Sequence, residues 1–149
     1  MAWTTINHSC GHTEQHQLYG PGRDRERKAA WMAKDVCSDC RASDLAKANA
    51  EAADAASEIG FAPLTGSDKQ VAWATKIRLD YYNALIEAYG PNVVDGRNIA
   101  AEFLSVEIKA GWWIDHKSGY RPEEIISLLK QSYPVVFAQL AELAARRSK

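Results

Sequence analysis

The sequence lacks the features that identify membrane proteins, secreted proteins and several familiar enzyme classes. It has no apolar run of the ~18 residues that a membrane-spanning helix needs. Its first residues show no cationic segment followed by an apolar stretch, so we expect no signal peptide. It also has no Walker loop, no dinucleotide-binding glycine fingerprint, no Ser-His-Asp signature and no HExxH motif. We therefore expect a cytoplasmic protein that does not bind a membrane, and we rank a binding function above catalysis.

The sequence also lacks an excess of either positive or negative charge. The 18 Lys and Arg residues nearly balance the 19 Asp and Glu residues, and the formal net charge is −1. Nucleic-acid binding that ignores base sequence needs several unopposed cations, which displace counterions from phosphates. The composition therefore argues against that class, although a local basic face would still be compatible with it.

Cysteine is scarce, and its count is odd. The three cysteines are Cys10, Cys37 and Cys40. In a reducing cytoplasm they should be metal ligands or free thiols rather than disulfides. A redox role for Cys37 and Cys40 would require a thioredoxin-like strand–helix–strand context, which the surrounding sequence does not show.

Four potential zinc ligands are present as two short pairs, Cys10 with His12 and Cys37 with Cys40. Structural zinc sites take four Cys or His ligands at tetrahedral geometry, and the ligands usually come as two such pairs separated by a longer stretch. The pattern predicts one structural zinc ion bound by these four residues. Because all four coordination positions would be filled by protein, we expect no catalysis at this ion.

His8 and His16 are alternatives to His12 as the fourth ligand. His8, Cys10 and His12 are each two residues apart, so an extended strand would point all three side chains to one side. The sequence therefore leaves the choice of histidine open.

The N-terminal segment favours a small hairpin-and-helix module. Residues 2–9 and 13–19 favour strands joined by a tight turn, and residues 23–34 favour a helix. An alanine-rich helix is predicted over residues 41–58. It has few large apolar side chains, so we expect a partly exposed connecting helix.

Beyond a hinge at residues 60–66, the chain predicts a small helical bundle. Ser67 and Gln70 have capping-box spacing, and the helix that they start should end at Gly90. Its apolar stripe consists of Val71, Ala74, Ile77, Tyr81, Leu85 and Ile86.

Three further helices are predicted towards the C-terminus. One covers residues 96–110 and is ended by Gly111, which leaves Trp112-Trp113-Ile114 in a turn. Pro122 and Pro134 start the other two, and the last one runs to about Arg147.

The predicted fold class is α+β, mainly α, with an N-terminal zinc-ribbon-like module of a β-hairpin and a helix, followed by a small helical bundle. The predicted domains are a zinc module at residues 1–43, a connecting helix at 44–60 and a helical domain at 61–149.

Two stretches of the sequence carry a resemblance. The first contains Cys10-Gly11-His12, Gln17-Leu18-Tyr19-Gly20, Arg25-Glu26-Arg27-Lys28-Ala29-Ala30-Trp31 and Cys37-Ser38-Asp39-Cys40. The second runs from Leu64 to Arg78 and reads LTGSDKQVAWATKIR. They resemble a recurrent group of bacterial and mobile-element proteins that pair a CGH…CxxC module with a GS[DE]KQxxWAxxIR helix. The resemblance covers about the first 80 residues. It implies the zinc ligands and a bacterial or phage origin, and it implies no activity.

Basic residues form a candidate contact surface, which consists of Arg23, Arg25, Arg27, Lys28, Lys69 and Lys76. The first four are compatible with phosphate contact. A solvated helix face is the simpler interpretation, because Asp24 and Glu26 are interleaved with them. Lys69 and Lys76 share a helix face near Trp73. The Trp73 side chain itself is equally compatible with this surface and with packing in the core.

An acid and a histidine are adjacent at Asp115 and His116, next to Trp112 and Trp113. This pairing suggests acid–base chemistry. Adjacent residues rarely form a working dyad, however, and no second carboxylate or nucleophile is evident nearby, so packing in a core or an interface is the favoured interpretation.

Three functional hypotheses follow. The leading one is a non-enzymatic, zinc-containing interaction protein that binds another protein, for example a phage or mobile-element inhibitor of a host system. The alternative is a nucleic-acid-binding zinc module, which predicts affinity that falls steeply with salt. The third is an enzyme centred on Asp115 and His116. The sequence determines neither the partner nor the oligomeric state.

Overall fold

The structure is a computed structural model that describes residues 2–89 and 94–147. Its elements are β1 (Ala2–Asn7), β2 (Thr13–Leu18), α1 (Gly22–Ala33), α2 (Ser38–Ile59), α3 (Asp68–Tyr89), α4 (Val94–Leu104), α5 (Ala110–Asp115), α6 (Pro122–Ser132) and α7 (Pro134–Arg147). The chain divides into two compact units, Met1–Ala48 and Asn49–Lys149. The protein is therefore mainly helical with one N-terminal two-stranded hairpin, which confirms this part of the predicted fold class.

Strands β1 and β2 pair antiparallel in the first unit. The backbone N–H of His8 donates to the carbonyl of His12 at 2.9 Å and closes the turn. Gly11 lies in this turn with φ +83°, a backbone conformation that glycine adopts without steric cost. The hairpin is thus formed where the sequence predicts it.

Helix α1 and the first half of α2 complete the first unit, and the second half of α2 belongs to the second unit. Helix α1 packs against β1 and has no buried residue. Its half-buried side chains include Arg25, Ala29 and Met32, which share one helix face. Helix α2 begins a few residues before the predicted alanine-rich segment, and only its Ala56 is buried. This agrees with the expected, largely exposed helix.

The second unit is a helical bundle around one apolar core. Helix α3 contributes Ala74, Ile77, Tyr81 and Leu85, all of them buried as predicted. Val71 and Ile86 are partly buried against the same core. The predicted capping box is also present: Ser67 N–H donates to Gln70 Oε1 at 3.1 Å, and Gln70 N–H donates to Ser67 Oγ at 3.4 Å. The predicted stop at Gly90 lies outside the described residues.

The prediction of one continuous helix over residues 96–110 is wrong. Helix α4 ends at Leu104, and a separate helix α5 begins at Ala110. Gly111 therefore lies near a helix start, and Trp112-Trp113-Ile114 is helical rather than in a turn. The physical reason is tertiary: Thr65 accepts the N–H of Ala110 at 2.9 Å and donates its own N–H to Ile108 at 2.7 Å. These backbone groups are thereby withdrawn from intrahelical bonding.

Buried Glu107 stabilises this break. Its carboxylate accepts the N–H of Lys109 and the hydroxyl of Tyr133, both at 2.7 Å. Its carbonyl accepts the indole N–H of Trp113 at 3.0 Å, and the Trp113 side chain is fully buried.

The two proline-started helices are confirmed as α6 and α7. None of the helices that the structure describes combines the length and the hydropathy that a membrane crossing requires.

Candidate metal centre

Cys10, His12, Cys37 and Cys40 lie together in the first unit. Their ligand atoms all lie within 4.8 Å of one another, so the cluster could hold a metal ion. His12 Nδ1 is 3.6 Å from Cys37 Sγ and 3.3 Å from Cys40 Sγ. In a tetrahedral zinc site, bonds of ~2.3 Å to sulfur and ~2.0 Å to nitrogen place such ligands about 3.5 Å apart. The donors present therefore fit a zinc ion.

Local structure brings the two ligand pairs together. The hairpin turn carries Cys10 and His12, and the start of α2 carries Cys40, with Cys37 just before it. The backbone N–H of Cys37 donates to Cys10 Sγ at 3.3 Å, and the N–H of Cys40 donates to Cys37 Sγ at 3.4 Å. These bonds orient two sulfurs and would partly neutralise their charge as thiolates.

The sulfur atoms influence one another's protonation. Backbone N–H groups of Cys37 and His12 hold the pKa of the Cys10 thiol at about 6, well below its ordinary value. The Cys37 side chain, burial and the neighbouring Cys10 raise the pKa of Cys40 to about 12. Cys10 thus ionises readily, whereas further negative charge at Cys40 is disfavoured. A divalent cation among the sulfurs would reverse that penalty.

The structure places His12, rather than His8 or His16, beside the cysteines. His8 and His16 instead lie with Glu14 in a second group, whose ligand atoms are also within 4.8 Å of one another. Glu14 and His16 are two residues apart on β2 and face the same way. Sequence reasoning missed Glu14, although its two-residue spacing from His16 within a predicted strand was an available signal.

The candidate basic residues are divided between the units. Arg27 and Lys28 line a shallow cleft on the outer side of α1, together with Tyr19, Asp24 and Trp31. Arg23 is also exposed, but Arg25 lies half-buried on the face that packs inwards. The first four basic residues therefore do not share one surface.

Lys69 and Lys76 lie on α3 in the second unit, where Lys69 is exposed and Lys76 half-buried. Trp73 is 48% exposed, so it is not a core residue, and Lys117 Nζ lies 4.7 Å from the centre of its ring. Arg78, by contrast, is buried at the hinge, where it donates to the carbonyl of Ala62 at 2.8 Å.

Asp115 and His116 show no sign of a working dyad in the part of the chain that the structure describes. Asp115 is exposed. The His116 ring stacks on Trp112, and its Nδ1 lies 2.7 Å from the Trp112 carbonyl. A neighbouring cleft of about 230 Å³ is lined by residues that include Tyr81, Lys117 and Tyr120, but by neither Asp115 nor His116. Packing accounts for this histidine.

Comparison of the chain with protein-family models, with curated proteins and with solved structures found no significant match. The kinship suggested by the CGH…CxxC and GSDKQ segments therefore stays a prediction. The function is inferred from the geometry of the chain's own residues.

Proposed function

We propose that the first unit is a zinc-stabilised interaction module that binds a protein partner through the outer side of α1. The zinc ion would be structural, because Cys10, His12, Cys37 and Cys40 supply all four ligands that zinc needs. A cytoplasmic location suits this chemistry, since thiolate ligands persist where cysteines stay reduced.

The scarcity of buried side chains supports a structural role for the metal. Among the described residues of the first unit, only Ile6, His8, Leu18 and Cys37 are buried. A unit of this size cannot bury enough apolar surface to be stable without a metal, a disulfide or another chain. Its three cysteines are free, so metal binding is the stabilising device that its residues offer.

Exposed aromatic side chains carry the proposal of a protein partner. Tyr19 is 64% exposed and Trp31 68% exposed, and both line the cleft that contains Arg27 and Lys28. We call these four residues the α1 surface. Tyrosine, tryptophan and arginine are the residues that most often dominate the binding energy of protein interfaces. Large exposed aromatic groups are costly to leave in water, which is why they mark contact sites.

Nucleic-acid binding is the second candidate, because bases stack on aromatic side chains beside cationic ones. Two observations favour protein over nucleic acid. Asp24 lies in the same cleft and pairs with Arg27 at 3.1 Å, and residues 1–48 carry 7 Lys and Arg against 6 Asp and Glu, a net charge of only +1. Both features reduce attraction to phosphates.

The test compares Trp31→Ala with a matched control, Trp73→Ala, which removes an exposed tryptophan from the second unit. Wild type and both variants are immobilised as zinc-loaded full-length proteins and exposed to nuclease-treated bacterial lysate at low and at high salt. Any captured protein is purified, and its dissociation constant for each variant is measured. In parallel, tryptophan fluorescence is titrated with a single-stranded oligothymidine.

We expect one purified partner whose affinity falls at least about tenfold with Trp31→Ala, as for an interface anchor, and is unchanged with Trp73→Ala. Equal affinity for Trp31→Ala and wild type would contradict the role of the α1 surface. Tight oligothymidine binding that weakens steeply with salt would favour nucleic acid instead. Metal analysis of the same preparations should find bound zinc.

A further inference from the structure

The group of His8, Glu14 and His16 is unexplained by the zinc site. His8 Nε2 lies 3.2 Å from Glu14 Oε2, and His16 Nε2 lies 3.1 Å from the same oxygen. Two imidazole nitrogens therefore converge on one carboxylate oxygen. For bonds of ~2.0–2.2 Å, ligands of a tetrahedral ion lie about 3.4 Å apart, so these separations are close to those of a metal site.

The state of His8 is the main physical clue. Its Nδ1 lies 3.1 Å from the backbone carbonyl of Asp35. Since a carbonyl oxygen only accepts hydrogen bonds, Nδ1 must carry a proton. The other nitrogen, Nε2, is buried and has no hydrogen-bond partner, although Glu14 Oε2 is near. The oxygen therefore lies off the direction in which Nε2 would form a hydrogen bond.

Neither protonation state of Nε2 forms an aligned hydrogen bond with the protein atoms. With a proton, Nε2 would face Glu14 Oε2 at 3.2 Å as an ion pair, but its buried N–H would have no aligned acceptor. Without one, its lone pair would face the negative carboxylate. A cation between the three side chains satisfies Nε2, which becomes a ligand, and it also balances the charge of Glu14. Hydrogen bonding of the opposite ring nitrogen to a carbonyl is the usual way in which proteins orient a histidine ligand.

Glu14 is oriented in the same manner. Its Oε1 accepts the backbone N–H of Ser38 at 3.0 Å and also the Ser38 hydroxyl. Oε2 is thereby left to face the two histidines. A ligating carboxylate whose second oxygen is hydrogen-bonded is a common feature of metal centres.

We propose that His8, Glu14 and His16 form a second metal site, which binds a divalent transition-metal ion and leaves a coordination position open to solvent. Two imidazoles and a carboxylate suit zinc and its neighbours in the first transition row. The His8 side chain is only 4% exposed, whereas those of Glu14 and His16 are 21% and 30% exposed. Water or an incoming anionic or carbonyl ligand reaches the ion from the side of Glu14 and His16, which distinguishes it from the fully protein-coordinated zinc.

The test is a cobalt and zinc titration of the metal-free, reduced full-length protein. Equilibrium dialysis with elemental analysis gives the number of ions bound. The near-ultraviolet cobalt–thiolate bands report the cysteine site alone, because only sulfur ligands produce them. The variant is His16→Gln, which changes a half-exposed ligand. The matched control is Gln15→Ala, which changes the exposed neighbour on the opposite face of β2.

Wild type and Gln15→Ala should bind two ions, and His16→Gln should bind one with its thiolate bands intact. Ser38→Ala should lower the affinity for the second ion by about 10–100-fold, as expected on loss of a residue that orients a ligand. One ion in the wild type with thiolate bands, or two ions in His16→Gln, would overturn the second site. A third outcome would be that no thiolate bands appear and that His16→Gln binds one ion fewer than the wild type. That result would overturn the cysteine site and support the site of His8, Glu14 and His16.

If His16→Gln does not fold, the proposal is tested on the wild type instead. Long-range nitrogen NMR of its histidines is recorded as zinc is added beyond saturation of the thiolate site. The Nε2 signals of His8 and His16 should shift together on binding of the second ion. Unchanged signals would overturn the proposal.

Discussion

Gly66 combines a backbone conformation and a close contact that only a residue without a side chain tolerates. Its φ is +149°. A Cβ added there would lie 3.1 Å from the Cβ of Ala110 and 3.2 Å from Gln70 Oε1. The glycine thus permits the hinge to approach the start of α5 while Gln70 caps α3.

Gly66→Ala should lower the free energy of unfolding by about 1–3 kcal/mol, because it adds backbone strain and a steric clash. The matched control is Gly111→Ala in α5, where an added Cβ meets no atom within 4 Å. That change should raise the free energy of unfolding by about 0.5–1 kcal/mol, since alanine favours a helix. Urea titrations followed by tryptophan fluorescence measure both. A neutral Gly66→Ala would show that the hinge does not need glycine.

Arg78 is a charged residue inside the core of the second unit. It is only 2% exposed, and its guanidinium lies 4.5 Å from the centre of the Phe61 ring. Burial lowers its pKa to about 10. Its hydrogen bond to the carbonyl of Ala62 ties the hinge to α3, so this charge acts inside the fold.

At the scale of the element, the start of α6 is set by its own sequence. Pro122 lies at the first position, and the N–H of Arg121 donates to Glu124 Oε2 at 2.7 Å. This bond holds the pKa of Glu124 below its ordinary value. A depressed carboxylate pKa stabilises the folded state above the unfolded-state pKa of about 4.3, and this contribution is lost as pH falls through the lower folded-state pKa.

Glu124→Gln should therefore lower the melting temperature at neutral pH, and the difference from wild type should shrink as pH falls below about 4. Glu87→Gln serves as the control, because Glu87 is an exposed carboxylate on α3 away from a helix start. Differential scanning calorimetry over this pH range measures the effect. A difference that stays constant with pH would show that the carboxylate charge is not involved.

At the scale of the whole molecule, the two units contain different tryptophans. Trp3 and Trp31 belong to the first unit, and Trp73, Trp112 and Trp113 belong to the second. The apolar core of the second unit, which includes Trp113, consists of its own helices. The first unit has few buried side chains and, as proposed, depends on its metal.

Removal of metal with a chelator should therefore shift the indole N–H signals of Trp3 and Trp31 towards unfolded values and leave that of Trp113 in place. Two-dimensional proton–nitrogen NMR of the full chain reads all the indoles in one experiment, and re-addition of zinc should restore the spectrum. Loss of the Trp113 signal on chelation would show that the second unit also depends on the metal. No change at Trp3 and Trp31 would contradict a structural ion.

Local chemistry was sufficient for several features of this protein. The hairpin, the Ser67–Gln70 capping box and the proline-started helices follow from residues close together in the chain, since turns and caps are made by neighbours. The grouping of Cys10, His12, Cys37 and Cys40 was also readable, because metal ligands recur at short characteristic spacings.

Only the tertiary structure decided the features that depend on distant partners. The break between α4 and α5 requires Thr65, which lies far from residues 108–110 in sequence but competes for their backbone hydrogen bonds. The burial of Arg78 requires the hinge, and the separation of His8 and His16 from the cysteines requires Asp35 and Ser38. A sequence pattern reveals the periodicity of a helix or strand. The helix break, the burial of Arg78 and the separation of the histidines depend instead on which distant groups satisfy buried hydrogen-bond donors and acceptors.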